Sequence, residues 1–179
     1  IAESYDGQDH FYRAALNIAC GTDPVRRDKI LADFDKHFPE WNDKVADLVW
    51  ELRPKSMLPK MEKLLSDAKL TGPQKARIID ILAASDDVSA GVAMLKLLTG
   101  EHPTEVKGRA IANLKLFLPT KWIALKKGDQ LGKTVDELMK SPKTWIEGMQ
   151  LIVAADLTNH VDKIESIAIK PENAEVRKA

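Results

Sequence analysis

Pro39-Glu40-Trp41-Asn42-Asp43-Lys44-Val45-Ala46-Asp47-Leu48-Val49-Trp50-Glu51-Leu52-Arg53-Pro54 is the stretch that decides the fold class. Within it Trp41, Val45, Leu48, Val49 and Leu52 fall at helical steps, which puts five apolar side chains on one stripe of an α-helix. Pro39 precedes that helix and Pro54 ends it, because proline has no amide hydrogen to donate and its ring clashes with the preceding turn. The same geometry recurs on both sides. Met57, Met61, Leu64, Leu65 and Ala68 form the next stripe, with Pro59 tolerated in a first turn. On the N-terminal side, Phe11, Ala15, Ile18 and Ala19 form another, expected to face the core. Asp23-Pro24 reads as an N-cap followed by proline at the first helical position, opening a helix whose Ile30, Phe34 and Phe38 share a face. Four helices are therefore expected before residue 70.

From Thr71 onward proline opens alternate helices at Pro73, Pro103, Pro142 and Pro171, spaced 30, 39 and 29 residues apart. Such intervals belong to helical repeats. The first three prolines lead amphipathic segments carrying Ile78, Ile79, Ile81 and Leu82; Val106, Ala110, Leu114, Phe117 and Leu118; and Trp145, Met149, Ile152 and Val153. Shorter partner helices are expected after each, with Val88, Val92, Leu95 and Leu98; Leu131, Val135, Leu138 and Met139; and Val161, Ile164 and Ala168. The fourth proline opens a further helix at the end of the chain. A helix pair cannot bury its stripe alone, so pairs stack into an array. The fold expected is all-α, a HEAT- or armadillo-like superhelix forming a single helical-repeat domain over 1–179. Residues 1–55 would make N-terminal helices or a cap, and 56–179 the helix pairs.

The 179 residues include 27 basic and 27 acidic side chains. That balance leaves no global field of the sort that draws a protein to nucleic acid or an anionic membrane. Cys20 is the single cysteine, so a disulfide framework and a Cys-x-x-Cys site are excluded. No run reaches the ~20 apolar residues that span a bilayer. The termini read as cuts from a longer protein.

Candidate chemistry is sparse. His10, His37, His102 and His160 lie on separate elements without metal-ligand spacing, so no metal or cofactor site is expected. Asp33, Asp35 and His37 alternate along a helix and point to different faces. In Asp6-Gly7-Gln8-Asp9-His10, Asp6 is expected to shape a turn and Asp9 to favour the positive end of the helix, with Tyr5 packing on the first pair. Cys20 reads as a buried, inert thiol, and neither a nucleophile elbow nor a phosphate-binding glycine loop occurs. The one basic-aromatic cluster is Lys121, Trp122, Lys126 and Lys127, inside the insertion-like segment Pro119–Asp129. It reads either as an interaction surface or as a core tryptophan with lysines outside. A nucleic-acid-binding or DNA-glycosylase-type reading requires Lys107, Arg109, Lys121, Lys126 and Lys127 to gather on one face with Trp122 or Trp145.

The run Tyr5-Asp6-Gly7-Gln8-Asp9-His10-Phe11-Tyr12-Arg13-Ala14-Ala15-Leu16-Asn17-Ile18-Ala19, with Val49-Trp50-Glu51-Leu52-Arg53-Pro54, resembles part of large multidomain proteins of planctomycetes and verrucomicrobia. Those proteins join a dehydrogenase-like β-propeller, a helical HEAT-like segment and a c-type cytochrome domain. Asn17 stands where that family has glycine. The resemblance implies a periplasmic or secreted redox parent in which this segment is a non-catalytic scaffold or docking arm. Its partners would be flanking domains or another protein, and no catalytic or haem-binding residue carries over.

Overall fold

A computed structural model describes residues 1–169. Every regular element in that range is helical. The helix opened by Pro171 lies outside the described residues. The chain forms two compact units, Ile1–Ser85 and Asp86–Ala179.

The first unit contains α1 (His10–Cys20), α2 (Pro24–Ile30), α3 (Phe34–His37), α4 (Asp43–Leu52), α5 (Leu58–Leu65) and α6 (Gly72–Ala84). Short polar side chains start several of them. Asp9 accepts from the Tyr12 amide at 3.0 Å, Asp23 from the Arg26 amide at 2.7 Å, and Asn42 from the Val45 amide at 2.9 Å. Each satisfies an amide that the first helical turn leaves unpaired. Asp6 accepts from the amides of Gln8 and Asp9, turning the chain at Gly7, whose φ of +94° suits glycine. The stripe of α4 is buried as its spacing requires, through Val45, Leu48, Val49 and Leu52, and Met57, Met61 and Leu65 are buried beside it.

Three expectations fail in this unit. The face holding Ile30, Phe34 and Phe38 is divided between α2 and α3, because the chain leaves the helix at Leu31; Phe34 and Phe38 are buried and Ile30 is half exposed. Ala68 lies beyond the end of α5 and is exposed. The stripe of α1 points outward. Phe11 is 74% exposed and Ile18 is 80% exposed.

The second unit contains α7 (Val88–Thr99), α8 (Thr104–Phe117), a 3-10 helix at Ile123–Lys127, α9 (Asp129–Leu138), α10 (Trp145–Ala155) and α11 (Val161–Ala168). Helix α7 is buried almost all round, by Ala90, Ala93, Met94, Leu95, Leu97 and Leu98. It packs on α8 and α9, and α10 packs on the same two helices. The expected pairing of α8 with α9 is therefore not the principal one. The connection between them is long, and part of it folds into the core. Trp122 and Leu125 stand three residues apart on a 3-10 turn, a spacing that stacks side chains on one edge. Both press against α7 at Gly91, where a Cβ would sit 2.6 Å from Leu125 Cδ1 and 3.0 Å from Trp122 Cδ2. On α10 the buried positions are Met149, Leu151, Ile152 and Ala155, and Val153, expected inside, is 76% exposed.

Candidate functional site

The basic-aromatic segment does not form an exposed stacking platform. Trp122 is completely buried and meets Phe117 edge-on with ring centroids 5.3 Å apart. Lys121 lies over these rings, 4.0 Å from the Phe117 centroid and 5.3 Å from that of Trp122, and faces Asp86 at 3.9 Å. A cation held against aromatic faces and a carboxylate is a lid on the core. Lys127 is exposed and Lys126 half-buried on the 3-10 helix. Trp145 is also turned inward, its indole N–H donating to the Met139 carbonyl at 3.0 Å. The four side chains therefore divide into a core residue, its lid and two lysines at the surface, and the aromatic component needed for base stacking is withheld.

Titratable groups gather at one place in the second unit. His160 is buried, with Nε2 3.1 Å from Asp136 Oδ1 and Nδ1 2.9 Å from Asn159 Oδ1. Lys163 also donates to Asp136 at 2.5 Å. The Lys163 hydrogen bond holds the Asp136 carboxyl below its ordinary value, and His160 adds to the effect. The cluster ties α9 to the start of α11. Because the carboxyl is depressed in the folded state, its contribution is present above the unfolded value near about pH 4 and is lost as pH falls through the folded one. The stability difference between the wild type and Asp136→Asn is expected to stay constant from neutral pH down to about 4 and to shrink below that. Urea unfolding across that range tests it, and a difference that persists unchanged in acid sinks the assignment.

Among the described residues, no group of three or more His, Cys, Asp or Glu side chains is placed to hold a metal ion. His37 pairs with Glu3 at 3.0 Å and His10 packs on Phe11. Cys20 is buried in the wall of a cleft of about 450 Å³, lined chiefly by Leu16, Ile30, Leu31, Phe34 and Phe38. Also among the described residues, no helix is long and apolar enough to cross a membrane.

The surface that stands out is α1, and its orientation has a traceable cause. Arg13 and Asn17 are one turn apart, and so are Asp47 and Glu51 on α4. Arg13 Nη1 lies 3.0 Å from Asp47 Oδ1, and Asn17 Nδ2 donates to Glu51 Oε1 at 2.8 Å. Both contacts join residues 34 positions apart, so α1 and α4 run parallel and in register. Tyr5, 2% exposed, adds its hydroxyl to Asp47 at 3.4 Å, and burial pushes that phenol above its ordinary value. Arg27 then fastens the other end of α1. Its Nη2 donates to Asn17 Oδ1 at 2.6 Å and to the Leu52 carbonyl at 2.9 Å, while Nη1 donates to the Gly21 carbonyl at 3.1 Å. A guanidinium here satisfies carbonyls left over at two helix C-termini, which also carry partial negative charge.

These anchors lie on the side of α1 that also holds Leu16 and Cys20. At 100° per residue, Phe11, Ala15 and Ile18 must then project in the opposite direction. The spacing of that stripe is that of a core face, so periodicity alone predicts its burial. The signal that could have corrected it is the matched one-turn spacing of Arg13/Asn17 and Asp47/Glu51, a polar ladder available only to helices laid side by side. Comparison of the chain with family models, with curated proteins and with solved structures finds no match.

Proposed function

We propose that the chain is a non-catalytic helical scaffold of the HEAT or armadillo type, part of a larger exported redox protein, that holds a protein partner against the outward face of α1. The redox parent and its export follow from the sequence resemblance. The stacked-repeat reading is supported within each unit. In the first, α4 packs against α1 on one side of the sequence and α6 on the other, with Arg77 of α6 reaching both Asp43 and Asp47 of α4, as a middle member of a row of stacked helices does. In the second, α7 contacts α8 and α9 while α10 contacts α8 and α9, as when hairpin α7–α8 lies beside hairpin α9–α10. An up-and-down bundle would instead set α8 on α9 and α7 on α10.

The observation that carries the interaction role is the outward apolar stripe of α1, which presents Phe11, Ala15, Ile18 and Ala19 to solvent. A contiguous apolar stripe rimmed by polar side chains marks an interaction surface. Placing the photoreactive residue benzoylphenylalanine at Phe11 in the full-length parent protein tests this. The expected product is a covalent link to a protein surface, within the chain or to another chain. A folded variant that gives no protein adduct on illumination overturns the reading.

A further inference from the structure

We propose that the second unit carries a surface for the headgroup layer of an anionic phospholipid bilayer, formed by the outer face of α8 and the 3-10 helix that follows it. This surface is separate from the α1 face, and the proposal stands or falls independently of the reading given to that face. Its starting point is charge. The chain as a whole is neutral, yet between Glu105 and Asp129 lie six basic side chains, Lys107, Arg109, Lys115, Lys121, Lys126 and Lys127, and no acidic one. Lys121 is engaged by Asp86 and the Phe117 ring, and Lys107 is half-buried on a flank of α8. Arg109, Lys115, Lys126 and Lys127 remain at the surface. Among the described residues none of these three lysines has an acidic partner.

Two exposed aliphatic side chains sit among these charges. At the angular step of an α-helix, Arg109, Ala112, Lys115 and Leu116 fall within one sector of about 120°, opposite the buried Val106, Ala110 and Leu114, and Leu116 is 62% exposed. On the 3-10 helix the Trp122–Leu125 edge is inside, so Ile123 with Lys126 and Ala124 with Lys127 form the two outer edges, and Ile123 is 55% exposed. Thr120 joins the two elements, its hydroxyl donating to the Leu116 carbonyl at 3.5 Å and its own carbonyl accepting from the Ile123 amide at 3.1 Å. The side-chain types select the occupant. Single-stranded nucleic acid asks for aromatic faces to stack on, and Trp122 is inside the core. Protein interfaces are enriched in aromatic residues and arginine and depleted in lysine, whereas this surface is chiefly lysine and aliphatic. A bilayer surface asks only for clustered positive charge and aliphatic groups to enter the headgroup boundary.

Co-sedimentation of the chain with phosphatidylcholine vesicles containing about 30% phosphatidylserine, against vesicles of phosphatidylcholine alone, is the test. The chain is expected to pellet with the first and to stay in solution with the second, and to be released as salt rises from about 0.1 M to about 0.5 M. A lysine near an anionic surface is worth about a factor of five in partition, so Lys115→Gln combined with Lys127→Gln should weaken binding about 25-fold. Leu116→Ser combined with Ile123→Ser should weaken it at least about tenfold, because the aliphatic groups no longer leave water on binding. Lys69→Gln, at an exposed lysine of the first unit, should change nothing. All of these positions are exposed, so circular dichroism is expected to be that of the wild type throughout. Failure to pellet with the anionic vesicles overturns the proposal, as does pelleting that either double variant leaves intact. Binding of a single-stranded oligonucleotide as tight as that of the vesicles, lost with the lysines but indifferent to Leu116→Ser and Ile123→Ser, would identify a general polyanion surface and overturn the lipid assignment.

Discussion

Trp122→Ala is expected to destabilise the second unit by about 3–5 kcal/mol, the range for emptying a large aromatic site in a core. Trp122 is wholly buried, and the walls that would have to close over the cavity are already in tight contact. Gly91 on α7 leaves no room for a side chain, with Trp122 and Leu125 packed where its Cβ would be. Lys121, lying over the Phe117 and Trp122 rings, would lose half of its aromatic support as well. The smaller replacement is the more discriminating one. Among the described residues the indole Nε1 is buried without a hydrogen-bond partner, and an unmet buried donor costs about 1–3 kcal/mol. Trp122→Phe removes that donor along with some volume, so its net effect should stay below about 1.5 kcal/mol. Urea unfolding followed by circular dichroism measures both. A Trp122→Ala protein with wild-type stability would mean that the ring is not core, and the segment would return to consideration as an exposed binding element.

The second large effect is expected at Arg27. Arg27→Ala leaves the carbonyls of Leu52 and Gly21 and the amide oxygen of Asn17 without their donor. Hydrogen bonds from a charged group are worth more than neutral ones, and leaving part-buried acceptors unmet brings the expected loss to about 2–3 kcal/mol. Arg27→Lys should recover less than half of it. An ammonium is a point charge on a flexible stem, and it cannot fork toward acceptors on two helix ends at once. Denaturant titration of the two variants decides this. Equal stability of Arg27→Lys and wild type would show that charge alone is required there and that the forked geometry is incidental. Loss of the clamp should also loosen α1, which Arg27 joins to the end of α4.

Local chemistry accounts for what was legible along the chain. Asp6 and Asp9 make the turn and the cap that their position before an apolar helix implies, and Asp23-Pro24 does the same for α2. Helical spacing at Val45, Leu48, Val49 and Leu52, and again at Ile78, Ile79, Ile81 and Leu82, correctly identifies buried faces. In each of these segments nearly every strongly apolar position falls on one side, with Trp50 of α4 the exception and exposed, leaving a single way to bury the stripe. The break at Leu31 was missed for a related reason: spacing is continuous from Ile30 to Phe38, and nothing local to those residues announces that the helix axis changes. Val153 was misplaced because α10 is apolar around most of its circumference, so periodicity could not say which side meets α8 and α9.

The candidate surface was hidden by that same limit. By itself the sequence determined that the chain is helical, where most helices start and stop, and which side chains of each helix lie together on one face, because caps, prolines and the 3.6-residue period act over only a few residues. Only the tertiary structure decided which face of α1 turns inward. Its apolar stripe and its Arg13–Asn17 ladder compete for the interior, and the ladder wins because Asp47, Glu51 and Arg27 are in place to pair with it. The position of Trp122 was settled in the same manner, by a glycine on α7 31 residues earlier in the chain. Both outcomes depend on partners brought close by folding, and a local period carries no information about which partners those are.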